Sequence, residues 1–139
     1  MSLKKFLEVN SLNKRFKKVH AVKDISFELE EGDVFAFLGP NGAGKTTTLR
    51  MLLDIIRADS GSIRWNFNGR TTALPEPTLT GYLPEERGLY LDLPVLRILV
   101  YLASIRGMEP STARSEAMQW LERLDLDKRA NEKLQTLSK

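Results

Sequence analysis

Nine consecutive residues, Gly39-Pro40-Asn41-Gly42-Ala43-Gly44-Lys45-Thr46-Thr47, carry the densest chemical capability in the chain. They read G-x-x-x-x-G-K-T, the pattern of a phosphate-binding loop. Gly39, Gly42 and Gly44 lack a Cβ, so the backbone can take φ > 0 and wrap closely around an anion. Its N–H groups then point inward, and the positive end of a following helix adds to the field. Lys45 supplies a mobile ammonium for the outer phosphates, and the Thr46 hydroxyl is a hard oxygen ligand for Mg²⁺. The bland alternative is a glycine-rich turn with an incidental lysine.

The flanking elements argue against that alternative. Val34 to Leu38 is a continuous apolar run, the composition of a strand buried on both faces of a parallel sheet. After the loop, Thr48 to Ile56 has helical composition, with Leu49, Leu52, Leu53 and Ile56 at helix-face spacing. Strand, loop and helix come in the order that phosphate binding requires. Upstream, Leu3 to Val9 predicts a short strand and Asn10 to Asn13 a turn. Ile25, Phe27 and Leu29 alternate with polar residues as a half-buried strand, and Glu31-Gly32-Asp33 is a tight turn into the apolar run. Phe16 stands alone among Lys14, Arg15, Lys17 and Lys18. Two readings are open for it: a ring that stacks on a base, or a strand residue packing inward.

Downstream, Asp59-Ser60-Gly61 reads as a turn. Ile63, Trp65 and Phe67 alternate as a strand, with Trp65 as sheet packing, and Asn68-Gly69 is a hairpin signal. Thr71 to Thr80, with Pro75 and Pro77, reads as an irregular loop. From Leu93 the pattern is helical. Leu96, Leu99, Val100 and Ala103 share one face, Gly107 interrupts, and Pro110 sits where a second helix begins. Ala113, Ala117, Trp120, Leu121 and Leu124 form an amphipathic stripe that places Trp120 in the core.

The 139 residues suit a single globular core, with 42% hydrophobic and 28% charged residues. There are no cysteines, which removes disulfides, thiol catalysis and thiolate metal sites. No apolar run is long enough to span a bilayer, and the N-terminus has no secretory pattern. The net charge is +3. Lys4, Lys5, Lys14, Arg15, Lys17, Lys18 and Lys23 face only Glu8 before an acidic block opens at Asp24. Such a basic segment could attract nucleotide or nucleic acid. With only Phe6 and Phe16 among its cations it offers no row of stacking platforms and reads instead as a solvated strand face, so nucleic acid is not an expected partner. His20, the one histidine, reads as a surface residue.

Taken together, Phe16, Ala21-Val22, Ile25 to Leu29, Glu31-Gly32 and Gly39 to Leu49 resemble the ATP-binding subunit of an ABC transporter. The resemblance implies that Phe16 stacks on adenine, that Val22 helps line the adenine pocket and that Thr47 contacts the α-phosphate. Gly39, Pro40, Asn41, Gly42, Ala43, Gly44, Lys45, Thr46 and Thr47 would hold the phosphates of ATP, with Lys45 also catalytic and Thr46 on Mg²⁺. The run Leu83-Pro84-Glu85-Glu86-Arg87-Gly88-Leu89-Tyr90 resembles a subgroup of exporter ATPases related to drug, sodium and antibiotic efflux. Most of the family has a glutamine where this chain has Glu85. Glu85 is therefore assigned to Mg²⁺ contact or γ-phosphate sensing. Catalytic base, or a solvated pair with Glu86, stay open for it.

The implied fold is α/β, a P-loop NTPase of the ABC-ATPase type. It combines an antiparallel β subdomain, a partial parallel-sheet core and the start of a helical subdomain. Residues 1–92 form the ATP-binding core portion and residues 93–139 the helical part, ending in Leu137-Ser138-Lys139 at the start of the family's signature sequence. The resemblance implies the N-terminal part of a longer ATPase that couples ATP binding and hydrolysis to export. Its expected partners are a membrane-spanning subunit and a second ATP-binding subunit, at the inner face of the cell membrane. The fragment by itself is expected to hydrolyse ATP negligibly. The alternatives are a non-transport ABC-type ATPase of DNA repair or translation, and a non-catalytic nucleotide-binding module. A GTPase is disfavoured because no Asn-Lys-x-Asp occurs.

Overall fold

A computed structural model describes residues 5–84 and 90–137. The chain forms two compact units that divide between Tyr82 and Leu83. In the first, β1 (Lys5–Phe16), β2 (Val19–Glu30), β3 (Ser60–Phe67) and β4 (Arg70–Thr72) form one sheet in the order β2-β1-β3-β4. All three ladders are antiparallel. One helix, α1 (Lys45–Leu52), belongs to this unit.

The sheet runs further than local turn chemistry suggests. β1 does not stop at Val9, because Leu12 is completely buried and its burial rewards carrying the strand through. The Asn10–Asn13 stretch is accommodated as a bulge, with register shifts toward both β2 and β3 and Ser11 at φ 46°. Its polar groups are satisfied locally: Ser11 N donates to Ser26 Oγ at 2.8 Å and Asn13 Nδ2 to Ser11 O at 2.8 Å. Gly61, expected in a turn, lies inside β3. A Cβ there would sit 2.5 Å from Ser11 O, so glycine is what lets β3 approach the bulge. Asn68 and Gly69 turn with φ of 53° and 84°, the type I′ geometry their sequence predicts.

Leu7, Val9, Leu12, Val22 and Trp65 from the sheet pack with Met51 and Leu52 of α1. Burying each large side chain of this kind contributes about 1.5–3 kcal/mol. α1 is displaced from the expected 48–56 span. It starts at Lys45 because Gly44 supplies the left-handed N-cap, and ends at Leu52 as Asp54 turns to φ 56°. Its buried face is Thr48, Met51 and Leu52, leaving Leu49 exposed.

The clearest departure is Val34–Leu38. These residues form no strand, and Val34 is 100% and Leu38 91% exposed. A run that is apolar on both faces needs strand neighbours to pair with it. Among the described residues no ladder includes it, so the parallel-sheet portion expected from sequence is absent from the observed pairing. What holds the segment is aromatic packing: Phe35 stacks on Phe27 of β2 at 4.9 Å, and Phe37 meets both edge-on.

The second unit contains α2 (Val95–Ile105), α3 (Pro110–Arg123) and two short 3₁₀ turns, Asp127–Arg129 and Leu134–Thr136. Val95, Leu96, Ala117, Leu121 and Ala130 form its core. No side chain caps α2. Its first free amides instead donate to later carbonyls, Val95 N to Glu132 O at 3.0 Å and Leu96 N to Ala130 O at 2.9 Å. α3 starts at Pro110, as predicted, with Glu109 accepting from Ser111 N at 2.8 Å and Thr112 N at 3.1 Å. Trp120 corrects the sequence expectation: it is 56% exposed, with Arg123 over its ring at 5.0 Å. Packing covers only the Ala113-Ala117-Leu121 flank of the stripe and leaves Trp120 and Leu124 outside. No helix among the described residues is long and apolar enough to cross a membrane.

Candidate functional site

The Gly39–Thr47 loop comprises the turn before α1 and the first turn of α1, and it lies against Ala21 and Val22 near the start of β2. Gly44 is the buried pivot. Its φ is 85°, and a Cβ would fall 2.2 Å from Ala21 O and 3.3 Å from Val22 Cγ2. Only glycine satisfies both the left-handed backbone and that approach. Gly42 also has positive φ, 84°, but open space around it. Ala43 N donates to Pro40 O at 3.2 Å and closes the turn.

The first turn of α1 leaves groups unsatisfied. α1 has no side-chain cap and no acidic residue in its first turn, so its leading amides are available to a ligand. Lys45 Nζ donates to Gly39 O at 2.7 Å and Pro40 O at 2.8 Å, which folds the ammonium back across the loop. A cradle of this shape, positive at one end and backed by a buried glycine, fits the phosphates of a nucleotide.

The consecutive threonines are sorted by burial. Thr46 is exposed and Thr47 half-buried, whereas Thr48 is fully buried and donates its hydroxyl to Gly44 O at 3.0 Å. Thr48 thus ties the helix to its own N-cap, a role the motif alone did not reveal. Thr46 presents the one kind of oxygen that Mg²⁺ takes from a loop of this type, the remainder coming from phosphate and water. The described residues contain no cluster of three or more acidic or histidine side chains able to hold a metal. Glu85 lies outside the described residues.

Phe16 sits at the end of β1, paired with Val19 across the tip of the β1–β2 hairpin, and is 43% exposed. Its ring is free to meet a ligand, with Lys14 Nζ over it at 5.4 Å. Val22 is only 2% exposed and joins the core beneath Gly44, so its side chain backs the loop from below.

Sequence reasoning missed the polar network behind this hairpin. Asp59 receives Lys14 Nζ and Arg15 N, each at 2.7 Å, while its own N–H donates to Asn13 O at 2.9 Å. The Lys14 hydrogen bond, helped by the Arg15 amide, holds the Asp59 carboxyl below its usual range. His20, expected at the surface, is half-buried and lies 3.2 Å from Asn13 Oδ1, which also receives Asp24 N at 3.0 Å. No motif signals a contact between residues 45 positions apart. Elsewhere in the basic run Lys5 pairs with Glu28 across the strands at 2.9 Å, while Glu8 is taken by Arg64 of β3 at 2.7 Å. Those exposed pairs behave as a solvated strand face and contribute little to stability.

Residues 22–139 match the protein family described as ABC transporter. The chain is 42% identical over 133 residues to an uncharacterized ABC transporter ATP-binding protein of Bacillus subtilis, covering 96% of this chain and 44% of that protein. It is 35% identical over 134 residues to the linearmycin resistance ATP-binding protein LnrL of the same organism, covering 95% and 43%. A spermidine/putrescine import ATP-binding protein of Fusobacterium nucleatum matches at 28% identity over 97% of the chain and 36% of that protein. Among solved structures, an ATP-binding subunit of an ABC transporter superposes with a TM-score of 0.68 at 26% identity, over 92% of this chain and 54% of that one. The chain thus spans less than half the length of the curated relatives quoted.

Proposed function

This chain belongs to the ABC transporter ATP-binding family, and on that premise we propose that its Gly39–Thr47 loop binds the phosphates of ATP. One observation carries the reading: an uncapped helix start whose N-cap glycine is pressed against Ala21 O, with Lys45 folded across the loop. The amides of the loop take the phosphate oxygens, Lys45 offers its ammonium to the outer phosphates, and Thr46 and Thr47 supply hydroxyls. Phe16 provides the ring for the adenine. Mg²⁺, when bound with ATP, neutralises phosphate charge, and Thr46 together with Glu85 would hold it. In reactions of this class positioning and electrostatics provide nearly all the catalysis. Binding of ATP without appreciable hydrolysis is the activity proposed for the 139-residue chain by itself.

The test is calorimetric titration of the chain with Mg-ATP. Saturable binding that Lys45→Ala weakens tenfold or more supports the reading. Equal binding by both proteins would remove Lys45 from the site, and clear Mg²⁺-dependent turnover would overturn the binding-only activity.

For the parent protein we propose coupling of ATP binding and hydrolysis to export. It would work beside a membrane-spanning subunit and a second ATP-binding subunit at the cytoplasmic face. Residues 1–92 would serve as the nucleotide-binding portion and residues 93–139 as the helical portion. The direction is supported by the Leu83 to Tyr90 resemblance and by the higher identity to the resistance protein than to the import protein. Substrate accumulation measured in inverted vesicles of the assembled transporter separates export from import.

A further inference from the structure

The Asp59–Lys14–Phe16 arrangement has a role beyond holding a hairpin together. We propose that Lys14 and Asp59 are positioning residues for the nucleotide base: Asp59 anchors Lys14 over one face of Phe16 and so fixes the ring with its other face open to the adenine. This rests on the reading of Phe16 as the base platform.

Three contacts carry it. Lys14 Nζ lies 5.4 Å from the Phe16 centroid, within cation–π range. The same ammonium is pinned to Asp59 Oδ1 at 2.7 Å, and the Lys14 side chain is only 15% exposed, unlike an ordinary surface lysine. Asp59 also receives the Arg15 amide at 2.7 Å, which fixes the main chain immediately before Phe16. One carboxylate therefore sets both the backbone entering Phe16 and the cation above it. An aromatic side chain at an exposed hairpin tip otherwise samples several rotamers, and ordering it on binding would weaken affinity. A cation on one face removes that face from competition and holds the ring in place before the ligand arrives. The Asp59–Lys14 pair is thus an anchor built into the sheet, at the bulge where β1 meets the start of β3.

A positioning role for the base separates from general stabilisation by comparing ATP with inorganic tripolyphosphate, which has the phosphates and no base. The probes are Lys14→Met, Lys14→Arg, Asp59→Asn and Phe16→Ala in the 139-residue chain. Lys14→Met and Asp59→Asn are expected to weaken ATP about three- to tenfold, a range set by the usual size of a cation–π contact, and to leave tripolyphosphate unchanged. Lys14→Arg, which keeps a cation over the ring, restores ATP binding. Loss of ATP and tripolyphosphate affinity in equal proportion shows a merely structural pair and overturns the proposal. So does unchanged ATP binding in Lys14→Met and Asp59→Asn while Phe16→Ala weakens it. If Phe16→Ala leaves ATP binding intact, the base-platform reading itself fails and this inference goes with it. Should Lys14→Met not fold, Asp59→Asn reads the same ratio.

Discussion

At the scale of single residues, the loop's behaviour turns on atoms that are missing as much as on those present. Gly44 has both a φ of 85° and no space for a Cβ, since Ala21 O occupies it. Gly44→Ala should therefore destabilise the first unit by at least about 2 kcal/mol, read as a lower denaturant midpoint. Gly42→Ala meets only the backbone strain, because nothing lies within 4 Å, and should cost visibly less. Thr46 and Thr48 separate in the same way. Thr46→Val should leave folding intact and abolish the tightening of ATP binding by Mg²⁺. Thr48→Val should chiefly lower stability, because it removes the hydroxyl that donates to Gly44 O. A Thr46→Val protein still tightened by Mg²⁺ would remove that hydroxyl from the metal site.

Among the elements, α3 starts on a carboxylate whose hydrogen bonds make its capping depend on pH. Glu109 accepts from the Ser111 hydroxyl and from the Thr112 and Ser111 amides, which hold its carboxyl below the usual range. A carboxyl whose folded pKa is depressed stabilises the fold above its unfolded pKa and loses that contribution as pH falls through the folded one. The cap is thus fully effective at neutral pH and lost in mild-to-strong acid. Glu109→Ala should lower the thermal midpoint of α3 at pH 7, and the gap from the unaltered chain should close below about pH 4. A gap that persists unchanged at pH 3 would assign the loss to packing. Element ends show where sequence patterns reach their limit. Pro110 and Asn68-Gly69 behave as predicted because a proline at a helix start and a type I′ turn depend on a few adjacent residues. Asn10–Asn13 does not, because the burial of Leu12 outweighs four residues of turn-like composition.

For the whole molecule, the exposed apolar residues are the dominant feature. Val34 and Leu38 are almost fully exposed in the first unit, and Ile105, Trp120 and Leu124 are more than half exposed in the second. Apolar runs with unpaired backbone associate with one another. Sedimentation analysis should therefore show concentration-dependent self-association of the chain. Val34→Lys should reduce it while changing stability by no more than about 0.5 kcal/mol, since Val34 contacts solvent on every side. Association unaffected by that substitution would move the sticky surface to the helical unit.

The sequence by itself determined the glycine-rich loop before α1, the hairpin turn, the start of α3 and the family. Each of these is written in adjacent residues: G-x-x-x-x-G-K-T, Asn68-Gly69, Pro110, and the ordered run from Phe16 to Leu49. Tertiary structure decided the rest, because those outcomes depend on neighbours that adjacent residues do not specify. Val34–Leu38 has the composition of a buried strand but finds no strand to pair with among the described residues, and backbone hydrogen bonds require two partners. Trp120 has the spacing of a core residue, yet periodicity defines a stripe without saying which flank the next helix covers. Lys14 and Asp59 meet only because the bulge in β1 brings the start of β3 beside it, and an ion pair between distant residues leaves no pattern along the chain.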